Sequence, residues 1–153
     1  MNPRGKVVAV NISPKKGTRK KNVDSSCLLP GLGLEKDAHA APGNRQVSLL
    51  ALESIEKMVR RGLKVGPGDF AENITTRGLD LLALPLGTRF RIGDHTLLAV
   101  TQIGKVCHTR CAIYYQAGDC VMPKEGIFAQ VLEGGTIQAG DEIHVLSGNS
   151  DHQ

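Results

Sequence analysis

Short runs of alternating apolar and polar residues dominate this chain, and glycines punctuate them. "KVVAVNIS" (6–13) is rich in β-branched residues and predicts a strand. "VDSSCLLPGLGLEKDAH" opens as a second strand and dissolves into glycine-rich turns. The period changes in "RQVSLLALESIEKMVRRGL" (45–63). "QVSLL" predicts a short strand; after it Leu52, Ile55, Met58 and Val59 fall on one helical face, with Glu53, Glu56, Lys57, Arg60 and Arg61 elsewhere. Gly62 is placed to stop that helix, and Arg60 and Arg61 suit the negative end of its dipole.

"ENITT" predicts another short strand. The clearest strand pattern lies in "GTRFRIGDHTLLAVTQIG" (87–104), where Phe90 and Ile92 alternate with Arg89 and Arg91 and a second strand follows the turn "IGDH". "MPKEGIFAQVLEGG" predicts one short helix, begun near Pro123 and ended by Gly134 and Gly135. "TIQAGDEIHVL" predicts two short strands around "AGDE", and "SGNSDHQ" a frayed tail. Together these elements predict a mostly-β, barrel-like fold with two or three short flanking helices, as one domain over 1–147 and a tail over 148–153.

Composition adds three constraints. Aromatics make up 3% of the chain and Trp is absent, so the core must be built from Val, Ile and Leu. The formal net charge is +4, yet Lys15, Lys16, Arg19, Lys20 and Lys21 supply five positive charges by themselves, leaving 4 − 5 = −1 for the rest. That balance argues against a broad nucleic-acid-binding face. "SPKKGTRKK" reads as a solvated loop between strands, or else as a docking site for an anionic cofactor or acidic partner. No apolar run approaches the ~20 residues of a membrane span, and the N-terminus lacks a long apolar signal region. The expected compartment is the cytoplasm, where thiols stay reduced.

The chemistry concentrates in "GKVCHTRCAIYYQAGDC" (104–120), which holds three of four cysteines. Cys107, His108, Cys111 and Cys120 could form a Cys3His zinc site, but the C-x3-C spacing is not that of a zinc knuckle, and no second pair exists. The spacings match no common iron–sulfur pattern. Cys27, isolated in "SSCLLPG", reads as a buried small hydrophobe; Cys120 is open between that and a role. Cys111 differs, because Arg110, Lys105 and His108 lie close in sequence and cations raise the thiolate fraction. A thiolate can attack sulfur or bind a soft metal ion.

The segments "DAHAAPGNRQVSLLALESIE", "PGDFAENITTRGLDL", "LGTRFRIGD", "VTQIGKVCHTRCAI", "GDCVMPKEGIFAQVLEGG" and "IQAGDEI" occur in an order that resembles the MOSC domain family, named for the C-terminal domain of molybdenum cofactor sulfurase. The resemblance runs nearly the whole chain and is to the small stand-alone bacterial type. It implies a β-barrel with short flanking helices. In enzyme members similar to the mitochondrial amidoxime-reducing component, it implies molybdenum cofactor (molybdopterin) held through one cysteine thiolate. Pyridoxal phosphate binding is a further family-level association.

Carried onto this chain, the family's Ser-Arg-Cys run matches Thr109-Arg110-Cys111, making Cys111 the implied metal ligand and catalytic group and Arg110 and Thr109 cofactor contacts. Asn73 in "AEN" and Arg45 before "QVSLL" match further cofactor-binding positions, and Lys105 and the "GNR" turn could add phosphate donors. His39 could join them, with Asp37 orienting it; His108 is a similar case. Glu72 could act as a general acid, with an exposed loop carboxylate as the simpler reading. The chain departs from the family at Lys36 and Ala41, where Gly is common, and at Ala71, where the enzymes carry Arg.

Three functions compete on these residues. The first is a molybdenum-cofactor-binding protein, acting in cofactor handling or as a small reductase of N-hydroxylated compounds fed by an external electron donor. The second is a sulfur carrier with a persulfide on Cys111, served by a cysteine desulfurase or by cofactor-biosynthesis proteins. The third is a structural zinc-binding domain.

Overall fold

The computed structural model describes residues 3–15, 19–38, 40–104 and 125–146. The strands are β1 (Arg4–Ile12), β2 (Lys21–Val23), β3 (Ser25–Leu29), β4 (Gly33–Leu34), β5 (Val47–Ala51), β6 (Ile74–Arg77), β7 (Arg89–Ile92), β8 (Leu97–Ile103), β9 (Ile127–Glu133), β10 (Gly135–Gln138) and β11 (Glu142–Val145). Helix α1 spans Leu52–Arg60, and a 3-10 turn spans Leu81–Ala83.

Seven strands close a barrel in the order β11-β7-β8-β9-β5-β6-β1, with β1 pairing back to β11. β2 extends β1 as a hairpin, and β10, β3 and β4 form a small separate sheet. Closure leaves no open edge on the barrel wall. Most neighbours are antiparallel; β5 and β6 are parallel, and α1 lies in the connection between them.

Alternation places the core. Val7, Val47, Leu49, Ile74, Phe90, Ile92, Leu98, Ile127, Ala129, Val131, Ile143 and Val145 point into the barrel. The opposite face of β5 and β9 presents Leu50 and Phe128, which pack with Phe70 and with Ile55 and Met58 of α1 in a second cluster. The core is thus aliphatic, as composition demands, but all three phenylalanines are buried in it. Helix α1 closes as expected: Gly62 N–H donates to the Val59 carbonyl and Leu63 N–H to that of Met58, a Schellman ending with Gly62 at φ +97°.

Several expectations are corrected. "IFAQVLE" is not helical: it is β9, paired on both edges, with β8 and β5. Its inward Ile127, Ala129 and Val131 follow a period of two, and seven residues are too few for sequence to exclude a helical reading. Val59 is 47% exposed, so the apolar face of α1 is narrower than its pattern. Cys27 is half-buried in β3. The loop "SPKKGTRKK" is not uniformly solvated, because Lys20 is buried. The predicted helix start at Pro123 and the tail after 147 lie outside the described residues.

Candidate functional site

Two polar regions share the outer face of the β5–β6–β9 wall. The first is a buried seam. Lys20 Nζ donates to Asp37 Oδ1 at 2.8 Å and to Ser13 Oγ at 3.2 Å, and Ser13 N–H donates to the same carboxylate at 3.0 Å. Both side chains of this ion pair are fully buried. Burial pushes the Asp37 carboxyl up, but the Lys20, Asn73 and Ser13 hydrogen bonds and the Lys20 charge outweigh it and hold it below 3.8. Asp37, expected to orient His39, is thus committed to Lys20; His39 lies outside the described residues.

The seam continues through two asparagines. Asn73 Oδ1 accepts from Ser48 N–H at 3.0 Å and Ser48 Oγ at 3.2 Å, and its Nδ2 donates to the Asn11 carbonyl at 3.3 Å. Asn11 Nδ2 donates to the Glu72 carbonyl and to Thr75 Oγ1. Glu72 is fully buried, correcting its reading as an exposed loop carboxylate. Its Oε2 accepts from Gly68 N–H at 3.0 Å and Thr75 Oγ1 at 2.6 Å, while Oε1 has no partner. Burial dominates these bonds and raises the carboxyl above 4.5. Gly68, at φ +91°, is required here, because a Cβ would collide with the Lys20 carbonyl.

Two of the family departures have a backbone reason to be noticed. Lys36 and Ala71 are the non-glycine residues at positive φ among those described, at 67° and 64°. That region favours glycine, the residue that the family resemblance leads one to expect at position 36. Ala71 sits directly before Glu72, so the turn that buries this carboxylate is itself strained.

The second region is an open corner. Arg45 precedes β5, is exposed, and lies over the Phe128 ring at 5.3 Å. Its Nε donates to Gln102 Oε1 at 3.2 Å, and Gln102 Nε2 donates to the Gly104 carbonyl at 2.8 Å. Thr101 Oγ1 donates to the Asn44 carbonyl. These bonds dock the "GNR" turn against the end of β8, where the cysteine stretch begins. Gly104 N–H donates to the Gly126 carbonyl at 2.7 Å, so both ends of segment 105–124 are rooted at one place on the barrel. Lys105, Cys107, His108, Thr109, Arg110, Cys111 and Cys120 fall within that segment and lie outside the described residues.

A cavity of about 340 Å³ opens on the other flank of this root, lined by Ala51, Glu53, Ser54, Leu79, Asp80 and Glu125, among others. Its carboxylates give it the wrong sign for a phosphate, whereas the Arg45 corner has the right one.

Of the sequence-derived candidates that are described, the structure therefore separates Arg45 from Asn73. They meet through Ser48, which pairs with Phe128 in the sheet and bonds Asn73. Arg45 uses only Nε and keeps both Nη groups without a protein partner among the described residues. Asn73 is 1% exposed and its amide is committed on both sides. Sequence reasoning missed Gln102 and Phe128, which seat Arg45, and Lys20, whose burial depends on Asp37 seventeen positions on. Among the described residues no cluster of His, Cys, Asp and Glu is arranged to hold a metal ion. No helix among them is long and apolar enough to cross a membrane.

Known structures share this fold. YuaD from Bacillus subtilis superposes with a TM-score of 0.77 at 20% identity, covering 96% of this chain and 100% of its own. YiiM from Geobacillus stearothermophilus gives 0.70 at 22%, covering 94% and 75%, and YiiM from Escherichia coli 0.65 at 24%, covering 96% and 70%. A search of curated proteins by sequence finds no match. The model of the MOSC domain matches residues 35–144, which take in β5 to β10, the Arg45 corner and the cysteine stretch. The chain belongs to the MOSC domain family.

Proposed function

We propose that this chain binds molybdenum cofactor at the barrel corner where Arg45 meets the root of the cysteine stretch. The observation that carries the reading is the state of Arg45: an exposed guanidinium, oriented by Phe128 and Gln102, with no protein partner for either Nη group among the described residues, and with Gln102 in turn bonded to the Gly104 carbonyl. That geometry suits two-pronged capture of a phosphate. Exposed arginines gain from being held in place beforehand, because less rotamer freedom is lost on binding.

The described residues fit the anionic part of the cofactor at Arg45 and not at Asn73. Cys111 would supply the thiolate for the metal, with Arg110, Thr109 and Lys105 as further contacts carried by the family's motif. The bound cofactor would supply two-electron redox chemistry or, in a handling role, would simply be carried. The chain's own part is to orient the phosphate at Arg45 and to keep the Cys111 sulfur ionised through neighbouring cations. Reduction of N-hydroxylated compounds would draw electrons from a separate donor protein, and loading would involve the cofactor-biosynthesis proteins.

The test is metal and pterin analysis of protein purified from a host that makes the cofactor. Near one molybdenum and one pterin per chain, both lost in Cys111→Ala, is the expected result. A cyanide-labile sulfur on Cys111 without metal would replace this reading with the sulfur carrier. Zinc lost together with thermal stability in alanine variants of Cys107, His108, Cys111 and Cys120 would replace it with a structural site.

A further inference from the structure

The barrel wall remote in sequence from the cysteine stretch carries an excess of positive charge: Arg4, Lys6, Arg77, Arg89 and Arg91 against Glu133 and Glu142. Side chains of alternate residues on β6, β1, β11 and β7 point outward there. Lys6 stands opposite Arg77 across β1 and β6 and opposite Glu142 across β1 and β11, while Arg4 and Arg91 flank His144 from β1 and β7. Arg89 adds a further exposed cation on β7. Directly opposed residues on one sheet face lie about 5 Å apart, and like charges so placed destabilise the pair.

Solvated sheet faces relieve this by alternating sign, and two places on the wall do so. Arg91 pairs with Glu133 at 3.3 Å, and Glu142 with His144 at 3.1 Å. The remaining four cations, Arg4, Lys6, Arg77 and Arg89, have neither a hydrogen bond nor an ion pair from their side chains among the described residues. Lys15 to Lys21 make the chain basic by composition, but this second basic surface is assembled only by strand pairing and has no counterpart in the sequence. It is also rigid, since every strand that bears it is paired on both sides within the closed barrel.

We propose that this wall is a docking surface for an acidic protein face. Charge complementarity sets the sign of the partner. Glu133 and Glu142 set its class: carboxylates among the cations break the surface into separate positive patches, which suit the discrete, flexible carboxylate side chains of a protein better than the close-set phosphates of a duplex, one charge per about 1.7 Å of axis. The docking is of the rim type, in which charges govern capture and salt sensitivity more than tight holding.

The experiment is a titration of the isotope-labelled full chain with poly-L-glutamate and, separately, with a short DNA duplex at low salt, followed through backbone amide resonances. Poly-L-glutamate is expected to shift the amides of Arg4, Lys6, Arg77 and Arg89, with binding that weakens as salt rises. Lys6→Glu/Arg77→Glu should raise Kd by about tenfold or more, and Lys21→Glu, on the β2 hairpin, by much less. Lys6→Gln/Arg77→Gln removes charge without reversing it and gives the same direction should the reversal perturb folding. Shifts confined to residues 15–21, or a Kd unchanged in both double variants, would overturn the proposal. Tighter binding of the duplex than of poly-L-glutamate at this wall would overturn the assignment to a protein partner.

Discussion

The seam around Asn73 and the corner around Arg45 are built from neighbouring strands on one wall of the barrel. In the seam, Lys20, Asp37, Ser13, Asn11, Asn73, Ser48, Glu72 and Thr75 are all buried and bonded to one another. In the corner, Arg45 is exposed, seated on Phe128, with Nη donors that no described residue uses. Both hold residue types that suit a cofactor site. The difference is what is left over once the protein has used them. A buried amide with both sides engaged has no capacity for a ligand, and withdrawing it would leave partners unsatisfied. A guanidinium fixed at Nε alone retains its two-pronged face. Polar residues near a site thus divide into those that hold the scaffold and those that can meet a ligand, and burial with full bonding separates them.

That comparison breaks most visibly at the ion pair. Lys20→Met removes the buried ammonium from the Asp37 carboxylate and from Ser13 Oγ and should destabilise the fold by about 3–5 kcal/mol, read from urea denaturation. A cost as small as that of an exposed pair would contradict a closed seam. Asn73→Ala comes next, with an expected loss of about 1–3 kcal/mol from unsatisfied Ser48 and Asn11 backbone groups. Cofactor content per folded chain should hardly change in that variant; a selective loss would move Asn73 into the site.

Glu72 sharpens the seam through pH. Its folded-state pKa is raised above 4.5, so its contribution to stability is fully present below that value and is lost as pH rises through the folded pKa. Asp37 runs the other way: its pKa is lowered below 3.8, so its contribution is present above that and is lost as pH falls through the folded value. Glu72→Gln should therefore gain stability relative to the parent as pH increases from about 4 to about 8, in denaturation midpoints taken across that range. A difference independent of pH would mean that the buried carboxyl does not titrate in that window. The smallest effect on stability is expected at the corner, where Arg45→Gln should cost less than about 1 kcal/mol, as for other exposed charged contacts.

The sequence was most legible where a local period coincides with a tertiary one. β8, with Leu98 and Val100 directed into the barrel, and α1, with Ile55 and Met58 buried and Gly62 at its end, follow from pattern alone. β9 did not, since "IFAQVLE" is short and its strand character comes from partners on both edges. Lys20 looked solvated among other lysines because the carboxylate that buries it is brought in by the turn after β4. Glu72 looked exposed because its burial depends on Gly68, Thr75 and Asn11 converging from two segments. For the site, the family motif placed Arg45 and Asn73 in one list. Their separation needed hydrogen-bond partners that sit on β5, β8 and β1, which no local pattern encodes.

The central claim is that the corner meets the cofactor while the seam holds the barrel. Pterin and molybdenum content per folded chain, compared between Arg45→Gln and Asn73→Ala purified from a cofactor-producing host, tests it most directly. The account predicts depleted pterin with near-parental stability in Arg45→Gln, and near-parental pterin with reduced stability in Asn73→Ala. Full pterin occupancy in Arg45→Gln, with loss confined to a folded Asn73→Ala, would contradict it.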